Sequence, residues 1–192
     1  DWSAVPPLTT ASVLRMEMSD KEGEGRCSAV VIAPGIVATA AHCVPEDEGT
    51  RSMTVRRKHV TEVLKINRLL DVAVLKVEKL SAAPLKFRTT KLEIGTPIGI
   101  AGYGLGLEVL RYQFGWVSDP VGEKGLILGP FLDARIFPGD SGGAVLDLQG
   151  RLVTLSVASL GPNGRPNAWA IGVDPKEFYE FVEDFLPPAS SR

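Results

Sequence analysis

The chain has 192 residues, with 21 Lys or Arg against 23 Asp or Glu and a formal net charge of −2. Basic residues are dispersed apart from Arg56-Arg57-Lys58, so the chain lacks the electrostatic footprint of a nucleic-acid binder and no nucleic-acid partner is expected. No apolar run approaches the ~18 to 20 residues that cross a bilayer, which argues against membrane insertion, and the length suits one large domain or two small ones sharing a cleft.

The chain opens at Asp1 and not at Met, so a leader, propeptide or other preceding segment is expected to have been removed. Residues 1–11, with Pro6-Pro7 and Thr9-Thr10, have no usable periodicity and read as an extended N-terminal arm. Strands begin at Val13–Met18, and a turn over residues 20–25 leads into Cys27–Ile32, a dense small and β-branched run. Pro34-Gly35 breaks that run before Ile36–Ala38, giving a hairpin that ends at His42. Residues 45–50 form an acidic loop. Strands recur at Met53–Arg57, Val60–Ile66 and Val72–Val77, an all-β spacing. Residues 84–94 read as the connection between a first β unit over 12–83 and a second over 95–174.

Gly99–Gly106 is glycine-rich but opens no helix, and Val109–Val117 reads as strand, so a phosphate-binding role is set aside. Gly125–Leu128, Ala144–Leu148, Leu152–Ser159 and Ala168–Val173 complete the second series, with turn chemistry at Gln149-Gly150 and over 162–166. The one convincing helix is Pro175–Leu186. Asp174 and Glu177 form a capping box around Pro175, and Phe178, Phe181, Val182 and Phe185 make an apolar stripe. Pro187-Pro188 stops it, leaving residues 187–192 as a tail.

Gly139-Asp140-Ser141-Gly142-Gly143 sets a serine between glycines, where a tight turn can expose its hydroxyl and aim backbone N–H groups at one point. A nucleophilic serine requires a base and an acid that orients the base. Of the two histidines, His59 sits in a solvated cationic stretch, whereas His42 follows an apolar run. Asp71, immediately before Val72-Ala73-Val74-Leu75, is the candidate acid.

Three segments in this order, Thr39–Cys43, Asp71–Leu75 and Gly139–Gly143, resemble the chymotrypsin/trypsin-like serine protease superfamily, closest in style to compact HtrA-like bacterial or viral members. The resemblance covers roughly residues 12 to 186. It implies two antiparallel Greek-key β-barrels with the active site in the cleft between them and a C-terminal α-helix. It further implies a serine endopeptidase acting on peptide or protein substrates, with His42, Asp71 and Ser141 as the triad, the Gly139 and Ser141 amides as the oxyanion hole, and no cofactor. The same family joins the counterparts of Cys27 and Cys43 in a disulfide behind the histidine, which would argue for a secreted or periplasmic address. Two free thiols in an intracellular protein are the alternative. Two cysteines and one histidine do not complete a zinc site, so no metal is expected.

By position, Ser156 would support the buried aspartate of the triad, while Val157 and Ala158 would line the first specificity pocket. Arg135 falls six residues before Ser141, at the pocket floor, which disfavours cleavage after Lys or Arg. Asp140 is expected to find Arg135 or backbone amides, since Asp1-Trp2-Ser3 is unlike an inserting N-terminus. Apolar side chains before the scissile bond are favoured over acidic ones. Two rival readings are a catalytically silent protease-fold binding protein and a viral polyprotein-processing protease. HtrA-type proteins append a peptide-binding PDZ domain, and none fits after residue 186, so the chain reads as a protease domain of something longer.

Overall fold

The computed structural model describes residues 1–49, 51–121, 129–160 and 169–188. Twelve strands close into two six-stranded antiparallel barrels. The first is built from β1 (Val13–Asp20), β2 (Gly23–Ala33), β3 (Ile36–Thr39), β4 (Ser52–Val55), β5 (Lys58–Asn67) and β6 (Val72–Val77), in the spatial order β1-β2-β3-β6-β5-β4. The second contains β7 (Pro97–Gly102), β8 (Arg111–Asp119), β9 (Phe131–Asp133), β10 (Gly143–Leu146), β11 (Leu152–Leu160) and β12 (Trp169–Gly172), in the order β10-β11-β12-β9-β8-β7.

The second half of β2, from Ala29 to Ala33, and the first four residues of β6 read as apolar runs because both of their faces are covered. Successive side chains of a strand point to opposite sides. Ala29, Val31, Ala73 and Leu75 therefore fill the first barrel, while Val30, Ile32, Val72 and Val74 face the other way and pack with Leu146, Leu152 and Leu155 of the second barrel. The second barrel has its own filling from Ile98, Ile100, Val117, Leu132, Val145 and Val153. The layer between the barrels is closed by α2 (Pro175–Val182), which buries Phe178, Phe181 and Val182. The Asp174 carboxylate caps this helix by accepting from the Lys176 and Glu177 amides at 2.9 and 3.1 Å. A single 3-10 turn, Glu183–Phe185, carries it to the expected end.

The N-terminal arm is not extended. Asp1 caps a 3-10 turn at Trp2–Ala4 through the Ser3 amide, and α1 (Val5–Thr9) follows directly. Pro6 and Pro7 lie in the first turn of α1, where a missing N–H costs no helical bond and the fixed φ suits the helix. Tertiary contacts then hold the segment in place. Val5 is fully buried, the Trp2 ring lies 4.8 Å from that of Phe114, and the Thr9 hydroxyl meets the Tyr112 hydroxyl at 2.8 Å. The short strand β9 replaces nothing expected from the sequence, and the expected strand over Gly125–Leu128 lies outside the described residues, as does the turn over 162–166.

Candidate active site

His42 stands in the single 3-10 turn Ala41–Cys43 that follows β3, and Asp71 ends the connection from β5 to β6. Asp71 adopts a left-handed φ of 56°, a conformation that Asp tolerates better than most side chains. This aims its carboxylate back at the His42 turn. Oδ1 accepts from the His42 backbone amide at 2.8 Å, and Oδ2 lies 2.7 Å from the ring Nδ1. One carboxylate thus fixes both the backbone and the ring of a single histidine. The other ring nitrogen, on a half-exposed side chain, makes no hydrogen bond among the described residues.

The Ser141 backbone lies beside the His42 turn, held there through the first barrel. The Cys27–Cys43 disulfide ties β2 to the His42 turn. The next residue, Ser28, donates its amide to the Ser141 carbonyl at 2.8 Å. That carbonyl lies 3.8 Å from Cys43 Sγ, a van der Waals contact, since a disulfide sulfur has no proton to donate. Both sulfurs being bonded to each other, Cys27, His42 and Cys43 offer no thiolate donor set despite their closeness. Ser141 Oγ itself makes no hydrogen bond among the described residues, so the expected bond to His42 is not formed here.

The loop before Ser141 commits its backbone selectively. The Asp140 amide goes to Phe137 O, the Gly142 amide to Ser156 O and the Gly143 amide to Asp140 O, whereas the Gly139 and Ser141 amides have no partner among the described residues. Their carbonyl partners across each peptide explain where these two point. Pro138 O accepts from the Leu105 amide at 2.8 Å, and Asp140 O accepts from Gly143 N and from the buried Ser156 hydroxyl. In a trans peptide the N–H opposes the C=O, so each free donor points away from the group that its own peptide's carbonyl meets. Gly139, at φ 102°, holds a conformation that side chains rarely adopt, and a Cβ there would also collide with Tyr103 O.

Asp140 is almost wholly buried. Burial pushes its carboxyl above the ordinary value, opposed by the Phe137 and Gly104 amides and the Arg111 charge. The Phe137 bond measures 2.8 Å. Of the two expected kinds of partner, backbone amides are the ones present. The glycine-rich Gly99–Gly106 stretch houses this group, since a Cβ on Gly102 or Gly104 would lie 2.6 Å from a carboxylate oxygen. Arg135 alternates with buried Ala134 and Ile136 and is exposed.

One expectation changes. Ser156 is not bonded to Asp71: its side chain is fully buried and its hydroxyl donates to Asp140 O at 2.9 Å, because β11 pairs with β10 directly after the Asp140–Gly143 turn, with Ser156 opposite Gly143. Its neighbours are more open. Val157 is half-buried at a bulge where β11 slips against β12, and Ala158 is exposed. The acidic loop after His42 is matched by bases, with Asp47 at 3.0 Å from Lys21 and Glu48 at 3.6 Å from Arg51.

Ser28, Thr39 and Arg68 are contributors that the sequence reading leaves out. Ser28 Oγ donates to Gly139 O at 2.8 Å and accepts from the Tyr103 amide at 2.9 Å, while Thr39 Oγ1 donates to Ser28 O at 2.7 Å. Arg68 reaches the backbone of the His42 turn. A Ser directly after Cys27 is the only signal for the first of these, Thr39 opens the segment Thr39–Cys43 without its role being legible there, and nothing in the sequence marks Arg68.

Comparison with known proteins agrees with this architecture. The family model described as a trypsin-like peptidase domain matches residues 27–155. The Arabidopsis thaliana protein "Protease Do-like 2, chloroplastic" is 32% identical over 139 residues, which are 66% of this chain and only 22% of that protein. Among solved structures, the inactive form of Rv3671c from M. tuberculosis H37Rv superposes with a TM-score of 0.76 at 21% identity, over 94% of this chain and 90% of the other. The HtrA-type protease AlgW, solved with a tripeptide, gives 0.77 at 22% identity over 97% and 64%. At that identity the superpositions speak for the fold, and the family match, extending over more than half of the sequence, speaks for descent: the chain belongs to the trypsin-like peptidase family.

Proposed function

We propose that the protein hydrolyses peptide bonds through His42, Asp71 and Ser141. The observation that carries the reading is the double grip of Asp71 on His42, at 2.8 Å to the amide and 2.7 Å to the ring. With Nδ1 committed to the carboxylate, the proton on that nitrogen is fixed and the other nitrogen is left as the acceptor. Ser141 Oγ attacks the carbonyl carbon, its proton passes to His42, and the oxyanion is received by the Gly139 and Ser141 amides. His42 then protonates the leaving amine, and water repeats the cycle on the acyl-enzyme. The uncommitted state of those two amides, in a loop that spends its others, supports this assignment.

Arg135 is exposed and apart from Asp140, which favours a first pocket walled by Val157 and Ala158 and a preference for small or medium apolar side chains before the scissile bond. Dominant cleavage after Glu or Asp that disappears in Arg135→Ala would reverse that choice. The disulfide fits a secreted or periplasmic site of action. A fluorophosphonate probe tests the core of the proposal: it should label the protein once, at Ser141, and Ser141→Ala should fold normally, take no label and cleave no peptide. A folded protein that resists labelling would instead support the silent binding module.

A further inference from the structure

The connection from β5 to β6 delivers more than Asp71 to the histidine. Asn67 Oδ1 accepts from both the Leu69 and Leu70 amides at 3.0 Å, which tightens the connection into a turn, and Leu70 is buried among the residues between the barrels. Arg68 projects from this turn across the single 3-10 turn that carries His42. Its Nη1 donates to Ala41 O at 2.7 Å and its Nη2 to Val44 O at 2.9 Å. These two carbonyls bracket His42 on either side. One rigid turn therefore holds the short histidine turn at four points: two by the Arg68 fork and two by the Asp71 carboxylate.

We infer that Arg68 is a positioning residue for the reaction, acting through His42; the inference rests on the reading of His42 as the base. A single 3-10 turn has few bonds of its own, here Cys43 N to Ala40 O and Val44 N to Ala41 O at 3.1 and 3.0 Å. The segment after it leaves for an exposed loop. Asp71 fixes the turn at His42 and the Cys27–Cys43 disulfide fixes it at Cys43, which still leaves it free to pivot about the line joining those two points. The guanidinium removes the pivot, because its planar donors meet two carbonyls at once, which the single ammonium of Lys cannot do in the same way. The Glu46 carboxylate, 4.0 Å from Nε and highly exposed, adds little to this hold. Proton transfer from Ser141 depends on ring placement, and a displacement of ~1 Å at a catalytic group can cost ~10²-fold in rate.

The test follows saturation kinetics of a fluorophosphonate probe, which needs no knowledge of the natural substrate, in Arg68→Ala, Arg68→Lys and the parent, with His42→Ala as control. The maximal labelling rate of Arg68→Ala should fall by about 10²-fold with the half-saturating probe concentration unchanged, Arg68→Lys should lie between, and millimolar guanidinium should restore part of the rate in Arg68→Ala alone. The ring N–H proton of His42, resolved by NMR against the only other histidine, His59, should weaken or vanish in Arg68→Ala. Labelling of Arg68→Ala at the parent rate, or a change confined to half-saturation, would overturn the inference while the His42→Ala control stays inactive. If His42→Ala labels like the parent, it is the assignment of the base that fails. Should Arg68→Ala not fold, the Lys variant decides: parent-like rate and an unchanged ring proton overturn the inference, and a reduced rate with a weakened proton supports it.

Discussion

Replacing Ser28 by Ala removes one hydroxyl that serves two segments of the second barrel. Oγ donates to Gly139 O and accepts from the Tyr103 amide, and the residue is fully buried, so solvent does not replace what is lost. Two neutral hydrogen bonds contribute about 1 kcal/mol each, and leaving a buried N–H or C=O unmet raises the cost of each loss toward about 1–3 kcal/mol. A destabilisation of about 2–6 kcal/mol follows. With a urea slope of about 2 kcal/mol per molar, the unfolding midpoint should drop by roughly 1–3 M under non-reducing conditions with the slope unchanged. Peptide hydrolysis by the remaining folded protein should fall as well, since the Gly139 carbonyl is one of the fixed points of the loop that presents the free amides. A midpoint within ~0.2 M of the parent would refute the reasoning, for it would mean that water or a shifted backbone satisfies both partners at negligible cost.

Asp140 holds its carboxyl above the ordinary value of 3.8 through burial. The folded state therefore keeps the proton at pH values where the unfolded chain has lost it, so this group's contribution to stability is greatest below the unfolded value and is lost as pH rises through the folded one. Measured as the difference between the parent and Asp140→Asn, relative stability should rise on acidification from neutral pH toward 4, and a difference that falls instead would count against a burial-dominated shift. Reducing the Cys27–Cys43 disulfide should cost about 3 kcal/mol in the chain-entropy description, read as a lower thermal midpoint in dithiothreitol and absent in the Cys27→Ala/Cys43→Ala double variant. Gly102→Ala would drive a methyl to within 2.6 Å of an Asp140 oxygen; fluorophosphonate labelling should drop sharply, and unaltered labelling would show that the loop relaxes without harm.

Much of the architecture is legible in the chain because both periodicities are clean. The two-sided burial of β2 and β6 writes itself as the runs Cys27–Ile32 and Val72–Val77, and the stripe of α2 places Phe178, Phe181 and Val182 inward. The scarcity of histidine does the same for the site: with only His42 and His59 to choose from, the partner of Asp71 is nearly forced. What stays hidden is whatever depends on backbone atoms as partners. Arg68 meets two carbonyls and Ser156 the carbonyl of Asp140, neither of which has a sequence signature, and for Asp140 the expectation of backbone amides could not say that they belong to Phe137 and Gly104. The arm misleads for another reason: Pro6-Pro7 commonly breaks structure, yet here the pair begins a helix whose anchors, Tyr112 and Phe114, lie a hundred residues away and could not be paired with it by pattern.

The double facing of β2 and β6 also bears on how the molecule comes apart. Val30, Ile32, Val72 and Val74 belong by connectivity to one barrel and by packing to the wall of the other, and Ser28 adds bonds across the same seam. Opening either barrel exposes this seam, so neither half can melt and leave its neighbour intact. Calorimetry should accordingly trace one endotherm whose van't Hoff and calorimetric enthalpies coincide, and the amides of β2 and β6 should exchange with deuterium together and last, through global unfolding alone.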